Sequence, residues 1–484
     1  MLNRSFKKFK FQHQNKKNQV FYVEKKIKSN NQILNLIENF LKEKNSFIFE
    51  SVEKGAKGRY TIFGKKPDKI WEFNNNKSFK IQNERKISVK GKPKNIIEKI
   101  LENFKFKTPN KLPPICSLIS GYFAYDTIRY IEKIPNDCKD DLKLPDVRLL
   151  RPTVLIIHDN LKKKIFYIVN VFKDESIKNY KKKYDDIKKQ INLMIQESKY
   201  SLATYNSSNV EEKIKVKSNT SKSQYISMVK KAKKLIKIGD IFQVVLSQRF
   251  EAKLSKKPLD IYKKLRITNP SPFMFFFNFN DFQIIGASPE ILVRLRNNII
   301  TIRPIAGTRP RGKTKKQDNF YKKDLLKDKK ELAEHLMLLD LGRNDVGKVT
   351  KINSVKVTEK FLIEKYSHVM HIVSNVEGAH NKTLSKLNSL LAGFPAGTVS
   401  GAPKIRAMEI IDELEKSKRK VYAGGIGYFS SNGDFDTCIA LRTAVTKKDK
   451  FYVQAGAGIV ADSKPNKEYE ETINKAKALI SALK

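Results

Sequence analysis

Two glutamates in helical sequence are the first candidates for chemistry. Glu334 lies in a predicted helix over residues 324–341 whose side chains are apolar almost all round, a pattern typical of a buried helix. A buried carboxylate costs free energy unless it meets a cation or a metal ion. The sequence leaves two interpretations open here: a structural ion pair with Arg343, or a metal ligand.

Glu471 lies on the last predicted helix, residues 465–483, on the face opposite the apolar stripe. Lys475 follows one turn later, and this spacing alone favours a solvent-facing ion pair within the helix. Glu471 becomes a candidate ligand only if that face of the helix lines a cleft.

Strand ends supply further candidates, suited to an anion. Gly307 and Thr308 follow a strand-like run and residues 456–458 end another, so both segments could expose backbone N–H groups. Arg442 falls within a predicted strand, where a lone arginine usually needs an anionic partner. His371 lies in a strand-like run and could equally be a core residue, and the six histidines show no zinc-ligand spacing.

Residues 391–408 combine glycine, proline and small side chains before a predicted helix start at Pro403. The first half is unsuited to a stable helix or a central strand. A helix N-terminus among small residues favours an anion, which indicates a site for a small carboxylated or phosphorylated molecule. The alternative is a tight loop that only turns the chain.

The elements that position these residues come from a chain of 484 residues, enough for one large domain or two ordinary ones. Its three cysteines show no disulfide or metal pattern, which favours a reducing, cytoplasmic compartment. No apolar run has the length of a membrane helix, so we expect no membrane partner.

The formal charge of +47 raises the question of nucleic acid. The lysines are spread over most of the chain and are not interleaved with stacking aromatic residues, so we expect no nucleic-acid partner. A basic nucleic-acid-binding protein is the alternative of another class, and salt-sensitive retention on DNA would distinguish it.

Taken together, the motifs resemble those of the chorismate-utilising enzymes. The resemblance covers nearly the whole chain and is strongest in GDIFQVVLSQR at residues 239–249, GASPE at 286–290, RPIAGTRPRG at 303–312, ELAEH at 331–335 and QAGAG at 454–458. It implies an α+β fold (α/β in the broad sense), with a large antiparallel β-sandwich surrounded by helices.

The resemblance also implies roles for individual residues. Glu334 and Glu471 would be the ligands of a Mg²⁺ ion. Glu290 would be the general acid that protonates the leaving 4-hydroxyl of chorismate, and His371 a catalytic histidine in the later loss of pyruvate. The substrate-binding residues would be Gly307, Thr308, Tyr422, Arg442, Gly456, Ala457, Gly458 and Lys475.

The residues at two positions distinguish the branches of the family. Relatives that add water at C2 of chorismate carry a lysine where this chain has Gln243, and relatives of the folate route carry a nucleophilic lysine where it has Ala306. The chain therefore resembles the branch that adds ammonia directly and forms anthranilate and pyruvate, the first step towards L-tryptophan. Formation of aminodeoxychorismate, for folate, is the alternative.

Regulation and a partner are implied in the same way. Ser51, Pro272, Phe273 and Met274 resemble a feedback site for L-tryptophan, although a strand end and a proline turn would explain the same residues. No cysteine has the setting of a glutamine amidotransferase nucleophile. We therefore expect a separate glutaminase subunit that delivers ammonia, in a heterotetramer.

Four segments are predicted along the chain. Residues 1–20 are a basic lead, expected to be disordered, although a targeting segment is conceivable. Residues 21–200 form an N-terminal domain with the tryptophan contact, residues 201–222 a polar linker, and residues 223–484 the chorismate-binding catalytic domain. In the last segment, Asn432 and Gly433 predict a hairpin turn.

Overall fold

The computed structural model describes residues 2–27, 29, 31–51, 58–200, 214–366 and 369–483. The strands of these residues are β1 (Gln19–Lys26), β2 (Ser46–Glu50), β3 (Tyr60–Asn74), β4 (Lys77–Gln82), β5 (Arg85–Val89), β6 (Leu118–Phe123), β7 (Val147–Asp159), β8 (Lys164–Val171), β9 (Val216–Ser218), β10 (Gln243–Lys253), β11 (Phe273–Asn278), β12 (Gln283–Ser288), β13 (Ile291–Arg296), β14 (Ile299–Ile302), β15 (Ile305–Pro310), β16 (Lys356–Lys365), β17 (Val369–Ala379), β18 (Gly401–Ala402), β19 (Gly425–Ser430), β20 (Phe435–Ile439), β21 (Thr443–Lys447) and β22 (Lys450–Ile459).

The helices of the same residues are α1 (Phe6–Gln14), α2 (Asn31–Phe40), α3 (Pro93–Asn103), α4 (Tyr180–Lys199), α5 (Lys222–Lys237), α6 (Pro258–Thr268), α7 (Lys315–Lys327), α8 (Lys329–Gly347), α9 (Lys386–Ala392), α10 (Lys404–Leu414) and α11 (Pro465–Ser481). Two 3₁₀ turns cover Tyr125–Tyr130 and Gly397–Val399. In these parts of the chain, no helix combines the length and apolarity needed to cross a bilayer.

The strands form antiparallel ladders that divide into two sheets at β7. The first sheet runs in the order β1-β8-β7-β3-β2-β11-β12-β21-β22-β10, with β9 and β18 also paired to β10. The second leaves β7 through β6-β19-β20-β13-β14-β17, and β15 and β16 pair with β17. Both sheets therefore combine strands from the two ends of the sequence.

The apolar faces of the two sheets share one core. It joins Phe47 of β2 and Phe275 of β11, in the first sheet, to Tyr122 of β6 and Ile426 of β19, in the second. Two further apolar clusters lie where helices cover the sheets, one with residues of α2, α4, α6 and α11 and one with residues of α3, α5, α9 and α10. The predicted α+β class, with a large antiparallel assembly and surrounding helices, is confirmed.

Several predicted elements are confirmed, each with a local physical reason. Asn432 and Gly433 do form the turn between β19 and β20, and Gly433 has the left-handed φ of 95° that such turns favour. Helix α5 follows the predicted linker and begins with a capping box between Ser221 and Gln224.

Two predicted boundaries differ from the structure. The helix expected over residues 324–341 is divided between α7 and α8, because the Asp328 side chain accepts hydrogen bonds from the first amides of α8 and so starts a new helix. Helix α8 is also not buried all round, since Leu336 is 45% exposed.

The segments on either side of the predicted N-terminal domain contain regular secondary structure. The basic lead contains α1, whose Phe9 is buried against Tyr184 and Phe21. Residues 201–213 of the predicted linker lie outside the described residues, and the remainder includes β9 and the cap of α5. The shared core joins residues that precede the predicted linker to residues that follow it.

Candidate active site

The chain passes between the two sheets at two points that carry predicted site residues. Glu290 lies between β12 and β13, and Arg442 lies between β20 and β21. Arg442 is therefore not within a strand, as the sequence suggested, because its φ of 46° turns the chain at the crossing. The Ala287 amide donates to the Arg442 carbonyl at 3.1 Å, so the two crossings lie side by side.

Glu290 is a buried carboxyl, 6% exposed. Burial raises the pKa of Glu290 to about 8, although the Thr398 hydroxyl and the Ile305 amide oppose the shift by donating hydrogen bonds to the carboxylate. The Thr398 Oγ1 to Glu290 Oε1 distance is 3.2 Å. At neutral pH this side chain is mostly protonated, which is the state that a general acid needs.

Glu334 is half-buried on α8 and faces the start of β10. Its Oε1 accepts a hydrogen bond of 3.0 Å from Gln243 Nε2. Burial raises the pKa of Glu334, and the negative charges of Glu331 and Glu471 raise it further. Arg343 pairs with Asp340 instead, at 3.0 Å, so the interpretation of Glu334 as its ion-pair partner is wrong.

Glu471 and Lys475 make the ion pair that their spacing favours, with 2.7 Å between Nζ and Oε1. Their side chains are 46% and 53% exposed. The same helix face also adjoins β22, because Lys475 Nζ donates to the Gly456 carbonyl at 3.0 Å. Glu334 also adjoins β22, because a Cβ on Gly458 would lie 4.0 Å from its Oε1, so the two glutamates face the same end of this strand although they are remote in sequence.

The surroundings of this glutamate pair suit a divalent cation. Glu468 is a further acidic group beside the pair, and burial together with the charge of Glu471 raises its pKa. A Cβ atom on Gly458 would lie 2.7 Å from Gln243 Nε2 and 4.0 Å from Glu334 Oε1, so glycine leaves this space open. The described residues hold no preformed group of three or more metal-binding side chains. Mg²⁺ binds through one or two carboxylates with water and substrate, so the pair fits.

His371 lies on β17 opposite Thr308 of β15. Its Nδ1 is 3.0 Å from both the Gly307 carbonyl oxygen and Thr308 Oγ1. A carbonyl can only accept, so Nδ1 carries the proton and Nε2 is the basic nitrogen. Burial lowers the pKa of His371, and the positive charges of Arg442 and Lys475 lower it further, which keeps the ring neutral.

Arg442, Tyr422 and β22 complete the group of predicted substrate contacts. The described residues offer the Arg442 guanidinium no carboxylate partner, and burial lowers its pKa. Burial raises the pKa of Tyr422 to about 12, so its hydroxyl stays protonated. A Cβ on Gly456 would lie 2.8 Å from the Tyr422 hydroxyl. Strand β21 leaves β22 after Val453, so the edge that carries residues 456–458 is not paired with β21.

The four residues predicted to bind tryptophan line a single cleft, well separated in sequence from the glutamate pair. The cleft has a volume of about 400 Å³, and its wall includes Ser51, Pro272, Phe273 and Met274 together with Tyr428 and other residues of both sheets. Phe273 and Met274 belong to β11, which pairs with Ser288 and Ala287 of β12.

Residues 391–408 support the site by close packing. A Cβ on Gly397 would lie 2.2 Å from Leu341, and one on Gly401 would lie 2.1 Å from the Gln243 carbonyl oxygen. The segment also contacts Glu290 through the Thr398 hydroxyl, which sequence reasoning missed. Glu331 and Glu468 were missed too, although each lies three residues before Glu334 or Glu471 on the same helix, a spacing that places both carboxylates on one face and could have found them.

Comparison with known proteins decides the family. Residues 45–481 match the description of a chorismate binding enzyme. The chain belongs to the chorismate-binding enzymes. It is 48% identical, over 90% of its length and 88% of the relative's, to anthranilate synthase component 1 of Cereibacter sphaeroides. It is 46% identical, over 93% and 92% of the two chains, to the protein of that name from Acetivibrio thermocellus.

A solved member of the chorismate-binding enzymes agrees with this fold. The crystal structure of anthranilate synthase component I from Streptococcus pneumoniae superimposes with a TM-score of 0.77 and 37% identity, and covers 89% of this chain and 94% of that one. The resemblance drawn from the motifs, and the expectation of an enzyme that acts on chorismate, are therefore confirmed. The roles of individual residues remain predictions.

Proposed function

We propose that this chain converts chorismate and ammonia to anthranilate and pyruvate, the first committed step towards L-tryptophan. The observation that carries the proposal is the 48% identity, over 90% of the chain, to a relative named anthranilate synthase component 1. The site geometry supports the same reaction through the groups described below.

Chorismate carries two carboxylates, and the site has cationic and amide groups for them. Arg442 is a half-buried cation without a carboxylate partner among the described residues, which favours an anionic ligand. The edge of β22 at Gly456, Ala457 and Gly458 can donate backbone N–H groups beside it. We assign these groups to the enolpyruvyl carboxylate, with Gly307, Thr308 and Tyr422 as further contacts.

Glu290 supplies the proton for the first chemical step. Ammonia forms a bond to C2 while the bond from C4 to its hydroxyl breaks, and the hydroxyl takes the Glu290 proton and leaves as water. Hydroxide is a poor leaving group, so protonation lowers the barrier. A carboxyl with a pKa of about 8 holds this proton at neutral pH.

His371 acts in the second step, the loss of pyruvate. The C2–H bond and the bond from C3 to the ether oxygen break, and the ring becomes aromatic. A neutral imidazole with a free Nε2 is a suitable base for the C2 proton. The hydrogen bond from Nδ1 to the Gly307 carbonyl keeps that tautomer.

Glu334 and Glu471 would hold a Mg²⁺ ion, and Gln243 orients the first of them. The ion would bind the ring carboxylate and offset negative charge as the ring reacts. Lys475 bonds to Glu471 and to the Gly456 carbonyl, so it links the acidic patch to the proposed substrate strand and limits the net negative charge.

Two positions lack the lysines that other branches of the family use, and their absence favours ammonia as the nucleophile. Gln243 cannot remove a proton from water, and Ala306 cannot attack the ring covalently, so direct amination by ammonia is the reaction left. Ala306 also argues against aminodeoxychorismate formation, which is the alternative activity.

The ammonia source is proposed to be a separate glutaminase subunit in a heterotetramer. Burial raises the pKa of Cys116 to about 12, and burial likewise raises the pKa values of the buried Cys138 and Cys438. A thiol with a raised pKa holds little thiolate at neutral pH, so none of the three suits glutamine hydrolysis.

L-Tryptophan is the proposed inhibitor, bound in the cleft formed by Ser51, Pro272, Phe273 and Met274. The cleft is large enough for an indole ring and is lined by aromatic and apolar side chains with a few polar groups.

One assay tests the proposal. Purified protein, chorismate, Mg²⁺ and an ammonium salt should give anthranilate fluorescence, whereas glutamine should replace ammonium only after the glutaminase subunit is added. The signal should fall when L-tryptophan is present. Aminodeoxychorismate as the product would move the chain to the folate branch, and no consumption of chorismate would refute the proposal.

A further inference from the structure

A small cavity borders Glu290. It is lined by Glu290, Thr398, Leu338, Gly342 and Asp345, among other residues, and leaves about 30 Å³ for the centres of water molecules. The metal-binding and carboxylate-binding residues assigned above do not line it, so it is separate from the contacts proposed for the substrate.

Glu290 needs such a path if it acts as proposed. Each turnover moves its proton onto the departing hydroxyl, which leaves as water, while the new ammonium group on C2 releases a proton elsewhere. Charges balance overall, but Glu290 is left as a carboxylate. With 6% exposure and chorismate covering its other side, it needs a route for a replacement proton.

We infer that this cavity holds the water that returns a proton to Glu290 after each turnover, and that Asp345 is the positioning residue that anchors this water. The inference rests on the proposed function, since it requires Glu290 to be the general acid. A cavity with polar groups on its wall can hold ordered water, whereas a purely apolar one stays empty.

Hydrogen bonds mark the two ends of the cavity, at Glu290 and at Asp345, and the proposed water lies between them. Thr398 Oγ1 donates to Glu290 Oε1 at 3.2 Å, so the hydroxyl and the carboxyl are already linked. Asp345 is 3% exposed, yet its oxygens bind Lys404 at 2.7 Å and Lys348 at 3.1 Å. The Lys348 side chain is 59% exposed, which joins the Asp345 end of the cavity to bulk water.

Filling the cavity is the sharpest perturbation. A Cβ on Gly342 would meet only ordinary contacts, the nearest being Ile302 at 3.7 Å, so Gly342→Ala and the larger Gly342→Val add bulk at the wall. Gly347→Ala is the matched control, because it lies on the same helix and its Cβ would meet nothing within 4 Å. Asp345→Asn tests the anchor separately.

The experiment compares the first turnover with later ones. Enzyme mixed rapidly with saturating chorismate, Mg²⁺ and ammonium starts with Glu290 protonated, so the first anthranilate should form at the wild-type rate in the Gly342 and Asp345 variants. Later turnovers should slow by about tenfold or more, since a positioned proton transfer contributes roughly 10²–10⁴ in rate. A burst of one anthranilate per site is therefore expected.

Other outcomes overturn the inference. Equal losses in the first and later turnovers would show only that the site is distorted, and unchanged rates in Gly342→Val and Asp345→Asn would show that protons reach Glu290 another way. A wild-type enzyme that forms no anthranilate would instead refute the proposed function, so the two failures are distinguishable.

Discussion

Burial gives the Glu290 carboxyl its reactivity. Its pKa is raised to about 8, and the reaction needs the protonated form, so kcat/KM should be limited by this group only as pH rises through about 8. Glu290→Gln keeps the shape and removes the proton. We expect kcat to fall roughly 10²–10⁴-fold and the alkaline limb of the pH profile to disappear.

The same substitution should raise stability. A carboxyl whose folded-state pKa lies above its unfolded value favours folding when protonated, and this advantage is lost as pH rises between those two values. Above pH 8 wild-type Glu290 is a buried charge, whereas glutamine is neutral. The Tm of Glu290→Gln at pH 9 should therefore exceed that of wild type, and a lower Tm would contradict the burial argument.

The glutamate pair makes a separate prediction. Glu334→Gln and Glu471→Gln should each abolish turnover, because each removes a charge needed to hold Mg²⁺, while circular dichroism and Tm stay close to wild type. Glu470→Gln is the matched control on α11, since its side chain is 57% exposed and its nearest ion-pair partner, Lys222, is 3.8 Å away. Near-normal activity in either test variant would refute the metal assignment.

The sequence predicted the charged site residues more readily than the side chains and strands that contact them. The motifs predicted Glu290, Glu334, Arg442 and Glu471 as site residues, and the structure brings Glu334 within the field of Glu471. The Thr398 bond to Glu290 could not be predicted, because the two residues meet only through tertiary packing. The spacing of Glu471 and Lys475 correctly predicted their ion pair but gave no information about the neighbouring β22.

At the scale of elements, the close approach of β18 to β10 controls the metal side of the site. Gly401 has a φ of 139°, and its Cβ would lie 2.1 Å from the Gln243 carbonyl oxygen. Gly401→Ala should force the strands apart, cost about 3 kcal/mol or more in unfolding free energy and displace Gln243. Urea denaturation and anthranilate assays would measure both effects.

A second glycine provides the control for that variant. Gly239 also has a positive φ, 82°, but its Cβ would meet nothing within 4 Å. Gly239→Ala should therefore carry only the backbone cost, about 1 kcal/mol, and retain activity. Equal losses of unfolding free energy in the two variants would show that the backbone conformation of Gly401, rather than its contact with β10, accounts for the effect of Gly401→Ala.

Hydrophobic patterns predicted the existence of most elements but not their interruptions. The strand predicted around Arg442 rests on apolar residues that continue across residues 440–442. It is two strands in different sheets, since Arg442 turns the chain between them. Tertiary pairing, which a local pattern does not contain, decides where such a run divides.

At the scale of the whole molecule, the proposed tryptophan cleft lies where both sheets contribute residues. Ser51→Phe should fill part of this space and remove inhibition by L-tryptophan, while kcat and the KM for chorismate remain near wild type. Inhibition titrations and calorimetry with L-tryptophan would measure the effect. Retained inhibition in this variant would place the effector elsewhere.

Strand β10 pairs with β22, Val244 lying opposite Ile459, and Glu471 follows on the final helix. During synthesis the ribosome must therefore release the chain through Glu471 before catalysis is possible. Until then one edge of β10 stays unpaired in the nascent chain, and an unpaired strand edge is prone to aggregation. Products cut short by premature termination before β22 should consequently be inactive and dependent on chaperones, however complete their N-terminal strands are.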